Sequence, residues 1–586
     1  MTAQGNRNTL IGGEIINRAL QRYGAQTCFV LAGTAHAHLL WAMEKDRARY
    51  PWTIVSGRHE SATVSEADGY ARASGKLGIA MINAEQGLPN AMTGICTAQA
   101  ACVPVLVLTT LSAPSQLESR NEGSNDALDM VKPFVKWART VPNVERLEEY
   151  VHAGAISALS GRPGVAVLGI PYGLAAQAAE MIDRPPMPLT EPLNPAPSDE
   201  ALERAADLIA NTKRPLILVG TGAALSGAGP ALRKLATTYR FPVMANALGR
   251  GLVPEDLKLG FGWPLAQIAA KHADVVLCLG MRLTRRMGFG LAPRFSPDAK
   301  FIQVDVHAEE LGRSRPIDLA IVSDVRLAVE KLDAALAARA FTNTVDPAWI
   351  NAALAPRLSR ITDLGVGDAG PIHPYRIGRE LAKRLPADAI YVGDGADIQN
   401  WMHGIIRIQS ERGFMDHYPL GSMGVGTPLA VGAAAAMKEE ALATGRPARP
   451  VVLVTGDGAF GFYASEFNGA VNAGLKLICI ISNDGGWGTE KHGQIKTLGT
   501  HINCELGHCD YHLVGQGYGT AGERIEMQTE IGPALDRAFA SAVPVVLNVI
   551  TDPMAGLLRK EDPRVQCIAV QDLVSSLKTH YTPRDA

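Results

Sequence analysis

Residues 451–488 read VVLVTGDGAFGFYASEFNGAVNAGLKLICIISNDGGWG, and this stretch decides the fold. A β-rich run, Val451 to Thr455, stops at Gly456-Asp457-Gly458. A helix-compatible stretch follows from Phe462 to Ala473. A second apolar run, Leu475 to Ser482, ends at Asn483-Asp484-Gly485-Gly486. Two strands joined through a helix form a βαβ unit, whose ligands bind beyond the carboxyl ends of the strands. That geometry brings Asp457 and the Asn483-Asp484 pair to one edge of the sheet. Gly456 and Gly458 allow backbone N–H groups to approach a phosphate at the helix start. Oxygen ligands suit a hard cation such as Mg²⁺, which commonly bridges carboxylates and phosphate. The pattern describes a site for a metal-bound diphosphate.

Outward from this unit, strand-like and helical runs alternate along the whole chain. At 586 residues the length exceeds what one core can serve and suggests roughly three to four domains. The first block, 1–182, has strand candidates at Thr27–Ala32, Thr53–Ser56, Gly78–Asn83, Pro104–Thr109 and Gly164–Gly169. The proline-rich DRPPMPLTEPLNPAPSD, 183–199, reads as a linker because repeated prolines cannot hold regular structure. A central block, 200–345, has candidates at Pro215–Gly220, Val275–Leu279, Phe301–Val306 and Leu319–Val322. A second, polar linker at 346–372 leads to a C-terminal block, 373–586, with candidates at Ala389–Val392, Val451–Thr455, Leu477–Ile481 and Val545–Ile550. The expected fold is α/β, three consecutive doubly wound parallel-sheet domains.

Composition narrows the function classes. Hydrophobic residues make up 47% and charged residues 19%, which fits a globular protein. A formal net charge of −2 without basic runs gives no reason to expect nucleic acid. No stretch reaches the ~18 apolar residues of a membrane span, and the N-terminus lacks the apolar core of a signal peptide. Eight scattered cysteines fit reduced thiols, so a cytoplasmic location is expected. His501, Cys504, His508, Cys509 and His512 are zinc-ligand types, but their spacing matches no standard pairing and reads as a mobile loop.

GDG, about two dozen residues and an Asn-rich turn together resemble the signature of thiamine-diphosphate (ThDP) enzymes. Two further segments strengthen the likeness: SGRHESATVSEADGYARASGK (56–76) and HYPLGSMGVG (417–426). Within that superfamily the chain is similar to the acetolactate synthase, pyruvate decarboxylase and benzaldehyde lyase group, closest in wording to benzaldehyde lyase. The resemblance implies an N-terminal pyrimidine-binding domain and a C-terminal diphosphate-binding domain. It places Mg²⁺ on Asp457, Asp484 and the carbonyl of Gly486, with Gly456, Gly458, Ala459 and Trp487 beside the diphosphate. The family usually has Asn-Asn where this chain has Asn483-Asp484, and the extra carboxylate is tolerable because a divalent ion dominates the local field. A second GDG, Gly393-Asp394-Gly395, lacks the downstream turn and reads as a decoy. GADIQNW (395–401) nevertheless matches a diphosphate-facing loop through Gly395, Ala396 and Asp397.

For catalysis the resemblance implies that Glu60 is the acid at the cofactor's pyrimidine. Apolar neighbours Ala62 and Val64 would keep water from it. A plainer reading of Glu60 is a helix-start residue favoured by the helix dipole. Gly421 and Ser422 would lie at the aminopyrimidine, and Met423 would wedge between the two rings, as an unbranched thioether can. The site would form between subunits, making a homodimer the minimum and a homotetramer expected.

Members of the family add a carbonyl substrate to the cofactor, then break or form a C–C bond. His36, Gln399, His417 and Glu490 occupy positions that would choose the outcome, and His417 and Glu490 could relay protons there. The leading expectation is a lyase or carboligase on 2-hydroxy ketones or 2-oxo acids, benzaldehyde-lyase-like. An acetolactate-synthase-like carboligase, a 2-oxoacid decarboxylase and a 2-hydroxyacyl-CoA lyase are the alternatives, the last weakened by the lack of an evident basic cluster for CoA. A catalytically silent ThDP-fold binding protein is the reading from another class. Some relatives bind FAD or a nucleotide in the central domain. Here Gly220-Thr221-Gly222 has its third glycine misplaced and no evident acidic ribose partner, which argues against that.

Overall fold

The computed structural model describes residues 7–24, 26–119, 127–182, 194–342, 346–363, 367 and 370–557. Three six-stranded, wholly parallel sheets follow one another along these residues, each flanked by helices, so the doubly wound α/β class holds for all three blocks. Most of the proline-rich linker, 183–193, lies outside the described residues.

In the first block, an antiparallel pair of β1 (Arg7–Ile11) and β8 (Ala178–Ile182) joins the two ends of the domain. Between them run β2 (Thr27–Val30), β3 (Thr53–Ser56), β4 (Gly78–Ile82), β5 (Val105–Leu111), β6 (Trp137–Thr140) and β7 (Val165–Pro171), in the spatial order 3-2-4-5-7-6. The central sheet contains β9 (Pro215–Val219), β10 (Val243–Ala245), β11 (Gly260–Gly262), β12 (Val275–Leu279), β13 (Lys300–Asp305) and β14 (Leu319–Val322), ordered 11-10-9-12-13-14. That is the strand order of dinucleotide-binding sheets. The C-terminal sheet repeats the first sheet's order, 16-15-17-18-20-19, with β15 (Ile390–Gly393), β16 (Phe414–Asp416), β17 (Val451–Gly456), β18 (Ile478–Asn483), β19 (Ala521–Ile525) and β20 (Val545–Ile550). Its inner strands are Val/Ile/Leu runs because helices cover both faces and no position is left for a polar alternation.

Two expectations change. The segment 346–372 holds a 16-residue helix, Ala348–Asp363, with Ile350 and Leu354 buried in the core. Its polar residues and Pro356 hid that apolar stripe. The helix after Gly458 is split into Asp457–Tyr463 and Glu466–Asn472.

The first and last domains pack through helices Glu60–Ser74 and Gly426–Thr444. They cross where two glycines meet backbone. A Cβ on Gly432 would lie 1.9 Å from the Glu66 carbonyl oxygen, and one on Gly69 would lie 2.2 Å from that of Leu429. Only the absence of side chains permits that approach. Tyr70 Oη, Thr27 Oγ1 and Lys76 Nζ then converge on the buried Glu439 carboxylate across the same seam. Among the described residues, no helix is long and apolar enough to cross a membrane.

Candidate active site

The C-terminal sheet reverses its strand order between β15 and β17, and a cavity of about 510 Å³ opens at their carboxyl ends. Open α/β sheets bind ligands at such switch points. Its walls include Gly395, Ala396 and Asp397 after β15, Gly456 to Ala459 after β17, and Asp484, Gly486 and Trp487 after β18. Met423 and Glu490 complete it. The two strand ends of the 451–488 unit therefore meet one cavity.

Asp457 begins its helix, is 2% exposed, and keeps Oδ2 buried without a hydrogen-bond partner. Asp484 faces it from the next turn, where its Oδ1 accepts the Gly486 N–H at 3.3 Å. Burial pushes the Asp457 carboxyl up to about 6. Burial, then repulsion from Asp457 and Asp397, pushes Asp484 up to about 8. Two carboxyl groups held this way share protons until a cation takes their place, so the donor set fits a hard divalent ion. Gly458 serves the wall rather than the acids. A Cβ there would lie 2.4 Å from the Trp487 ring, so the bare residue lets the indole close against it.

The second GDG is a structural anchor. Asp394 is fully buried and its carboxylate accepts N–H groups from Gly395 at 2.6 Å, Gly424 at 3.3 Å and Gly426 at 2.8 Å. It thereby pins the glycine turn carrying Gly421, Ser422 and Met423 to the end of β15. Gly421 and Gly424 adopt φ of +86° and +91° in that turn. The GDG around Asp394 did not point to this role; its position at a strand end was the available signal.

The other expected residues scatter. Glu60 opens its helix in the first domain, outside the cavity, and accepts the Asn90 side-chain N–H at 3.1 Å. His36 is buried with both ring nitrogens unpartnered, and burial pushes its pKa down to about 4, which keeps it neutral. His417 is 1% exposed and turns its Nδ1 towards Asp394 at 3.6 Å rather than lining the cavity. Gln399 is corrected outright: its amide donates to the carbonyls of Asp394 and Val454 and accepts from Tyr391 Oη at 3.0 Å. All its polar atoms are engaged inside the sheet, so it braces β15 against β17 instead of facing a substrate. Glu490 alone among these five reaches the cavity, from the first turn of the helix Gly488–Leu498.

The segment 501–512 is bonded to the turn after β18 and to the helix that follows it. The Trp487 N–H donates to Cys504 O at 2.8 Å, Gly485 O accepts from Leu506 and Gly507, and Lys491 pairs with Glu505 at 2.8 Å. Among the described residues, no group of three or more His, Cys, Asp or Glu side chains is placed to hold a metal.

A second cavity, about 920 Å³, lies where the three domains meet, at the central sheet's own switch point beyond β9 and β12. Gly220, Gly222 and Gly280 form its floor, and Arg162, Arg282 and Arg286 surround it. Asp305, at the end of β13, lines the same cavity. Arg162 comes from the first domain and Arg282 and Arg286 from the central one, and Glu310 and Asp416 line the cavity beside them.

Fold and cavity together define an enzyme built to grip a diphosphate cofactor at the end of its last sheet. Three family models match in order: the thiamine pyrophosphate enzyme N-terminal TPP binding domain over residues 11–131, the central domain over 202–332 and the C-terminal TPP binding domain over 394–549. The chain is 30% identical over 559 residues to a probable acetolactate synthase of Mycobacterium bovis, covering 94% of this chain and 98% of that one. It is 28% identical over 569 residues to a 2-hydroxyacyl-CoA lyase of Oryza sativa subsp. japonica, covering 93% and 96%. It is 24% identical over 574 residues to 2-hydroxyacyl-CoA lyase 1 of Homo sapiens, covering 94% and 96%. The chain belongs to the thiamine pyrophosphate enzyme family, as a ThDP-dependent lyase or carboligase.

Proposed function

We propose that this chain breaks or forms C–C bonds beside the carbonyl of 2-oxo acids and 2-hydroxy ketones, using ThDP held through Mg²⁺. The observation that carries the reading is the facing pair Asp457 and Asp484, with one orphaned buried oxygen, at the switch-point cavity. Asp457, Asp484 and the Gly486 carbonyl would hold the metal. Backbone at Gly395, Ala396, Gly456, Gly458 and Ala459 would surround the diphosphate, with Asp397 and Trp487 closing the wall. Gly421, Ser422 and Met423 would shape the ring end, on a turn held by Asp394. When bound, the cofactor supplies the carbon nucleophile that attacks the substrate carbonyl.

The remaining work falls to the chain. Glu60 would come from a neighbouring subunit, so a homodimer is the minimal active form and a homotetramer fits the family. Asn90 orients its carboxyl group. Glu490 is the cavity acid free to exchange a proton with substrate, and buried, neutral His36 would offer an acceptor without charge. His417 would act on the Asp394 turn rather than on the substrate. With Gln399 internal, the benzaldehyde-lyase-like choice rests on the wording around residues 417–426.

One observation favours a second reading, a 2-hydroxyacyl-CoA lyase. Three arginines line the central cavity, and guanidinium groups suit the phosphates of a CoA thioester. The experiment is titration of ThDP into purified protein with Mg²⁺, followed by assays on pyruvate, benzoylformate, benzoin and a 2-hydroxyacyl-CoA. Carbon dioxide, aldehyde without carbon dioxide, or acyl-CoA cleavage separates the alternatives. Failure to take up ThDP with any divalent ion defeats the reading.

A further inference from the structure

Among the described residues, four carboxyl side chains line the cofactor cavity, Asp397, Asp457, Asp484 and Glu490, and no lysine, arginine or histidine does. A wall of that charge opposes an anionic diphosphate even with a divalent ion between them. Lys491, the nearest lysine in sequence, is turned away to Glu505 at 2.8 Å.

His492 turns the other way. It lies one turn into the helix Gly488–Leu498 and is 5% exposed. Its Nε2–H donates to the Pro553 carbonyl at 2.8 Å, and its Nδ1 faces Asp397 Oδ1 at 3.6 Å. The other oxygen of Asp397 accepts the Trp401 indole N–H at 3.2 Å. Gly556 closes the pair from outside: a Cβ there would lie 2.2 Å from Nδ1 and 3.1 Å from Asp397 Oδ1. Nε2 thus meets a carbonyl and Nδ1 lies within ion-pair distance of a carboxylate, an arrangement that favours the doubly protonated ring.

We infer that His492 is a positioning residue for the cofactor's diphosphate end, whose imidazolium fixes Asp397 in the cavity wall and offsets the carboxyl groups around it. The inference rests on the proposed cofactor site. Two acidic groups act on the ring: Asp397, whose Oδ1 lies 3.6 Å from Nδ1 at the start of the helix Asp397–Ile405, and Asp484 in the turn after β18, whose charge is felt there. Burial alone would lower its pKa, yet Asp397, the Pro553 carbonyl and Asp484 together raise it above the ordinary histidine value. Proton loss from the ring, on raising the pH, should therefore weaken diphosphate binding.

The test compares wild type with His492→Gln, which keeps a donor for the Pro553 carbonyl but carries no charge. At pH 7 and fixed Mg²⁺, ThDP affinity measured by calorimetry should fall at least about tenfold, as loss of an outer-shell partner does. The gap should close as the pH is raised until the wild-type ring loses its proton. Unchanged affinity, or a gap constant with pH, overturns the inference. Histidine ¹⁵N spectra of the wild type should show one ring titrating above the ordinary histidine value, and Asp397→Asn should lower its titration. Absence of that signal also overturns it, and this reading needs no His492 variant to fold. Wild-type protein that takes up no ThDP sinks the cofactor assignment instead; wild-type binding with an indifferent His492→Gln sinks only this inference.

Discussion

Asp484→Asn tests the carboxyl pair without cofactor or substrate. The Asp484 carboxyl is pushed from its ordinary 3.8 up to about 8, by burial first and then by Asp457 and Asp397. The folded value exceeds the unfolded one, so folding takes up a proton across this window. The stability tied to that proton is complete below about pH 4, is lost as pH rises towards 8, and is level beyond. At pH 7 the loss is bounded by 1.36 × (7 − 3.8), about 4 kcal/mol. Counting only once the proton shared with Asp457 reduces it to roughly 2 to 3 kcal/mol. Asparagine cannot ionise, so the metal-free variant should be more stable by that amount at pH 7. At roughly 2 to 4 °C per kcal/mol for a domain of this size, its C-terminal transition should rise by about 5 to 10 °C. Differential scanning calorimetry with excess chelator at pH 4.5, 6, 7 and 8 measures it, and the difference should shrink towards zero at pH 4.5. Equal melting at pH 7, or an offset independent of pH, would refute the argument, because either result means the two carboxyl groups do not share a desolvated space.

Glu60→Gln should retain ThDP binding and lower kcat by at least about a hundredfold, the usual reach of a positioned proton-transfer group; wild-type turnover would return Glu60 to the role of a helix-start residue. Asp457→Ala should cost more than the 10–100-fold in Mg²⁺-dependent ThDP affinity that an outer-shell change costs, and calorimetry showing unaltered affinity would remove it from the metal site. Gly432→Ala sets two effects against each other. Alanine in a helix gains about 1 kcal/mol, but its Cβ would lie 1.9 Å from the Glu66 carbonyl, and forcing the helices apart costs about 3 kcal/mol. The clash should win, lowering the denaturation midpoint; a more stable variant would mean the crossing is looser than the structure has it.

The long inner strands were legible because burial on both faces leaves a run of β-branched residues, as in Val451–Gly456 and Val275–Leu279. Three-residue strands such as Val243–Ala245, Gly260–Gly262 and Phe414–Asp416 were not, since so short a run has no periodicity to read. The polar edge strand Ala521–Ile525 escaped for a different reason, being half solvated. At the site, residues adjacent to the strand-end glycines were foreseeable because backbone geometry fixes their direction. Gln399 was misjudged because its role depends on which way a helix faces, and only the sheet it braces determines that.

Asp394 shows why local motif and tertiary role diverge. Its GDG matches Gly456-Asp457-Gly458 residue for residue, and both aspartates end parallel, adjacent strands. One keeps an oxygen free of the protein, and the other spends both on three backbone N–H groups. The difference arises from what lies across the strand end. Beyond β17 is the turn of β18, which offers another acid; beyond β15 is the glycine turn at 421–426, which offers donors. That turn also has two sides: Asp416, Tyr418 and Pro419 line the central cavity, Arg286 stacks on Tyr418 at 3.2 Å, and Met423 lines the cofactor cavity. A single anchored segment therefore forms part of both walls. Asp394 holds that segment to the sheet at Gly424, immediately after Met423, so the wall of one cavity is fixed five residues from Pro419 in the wall of the other.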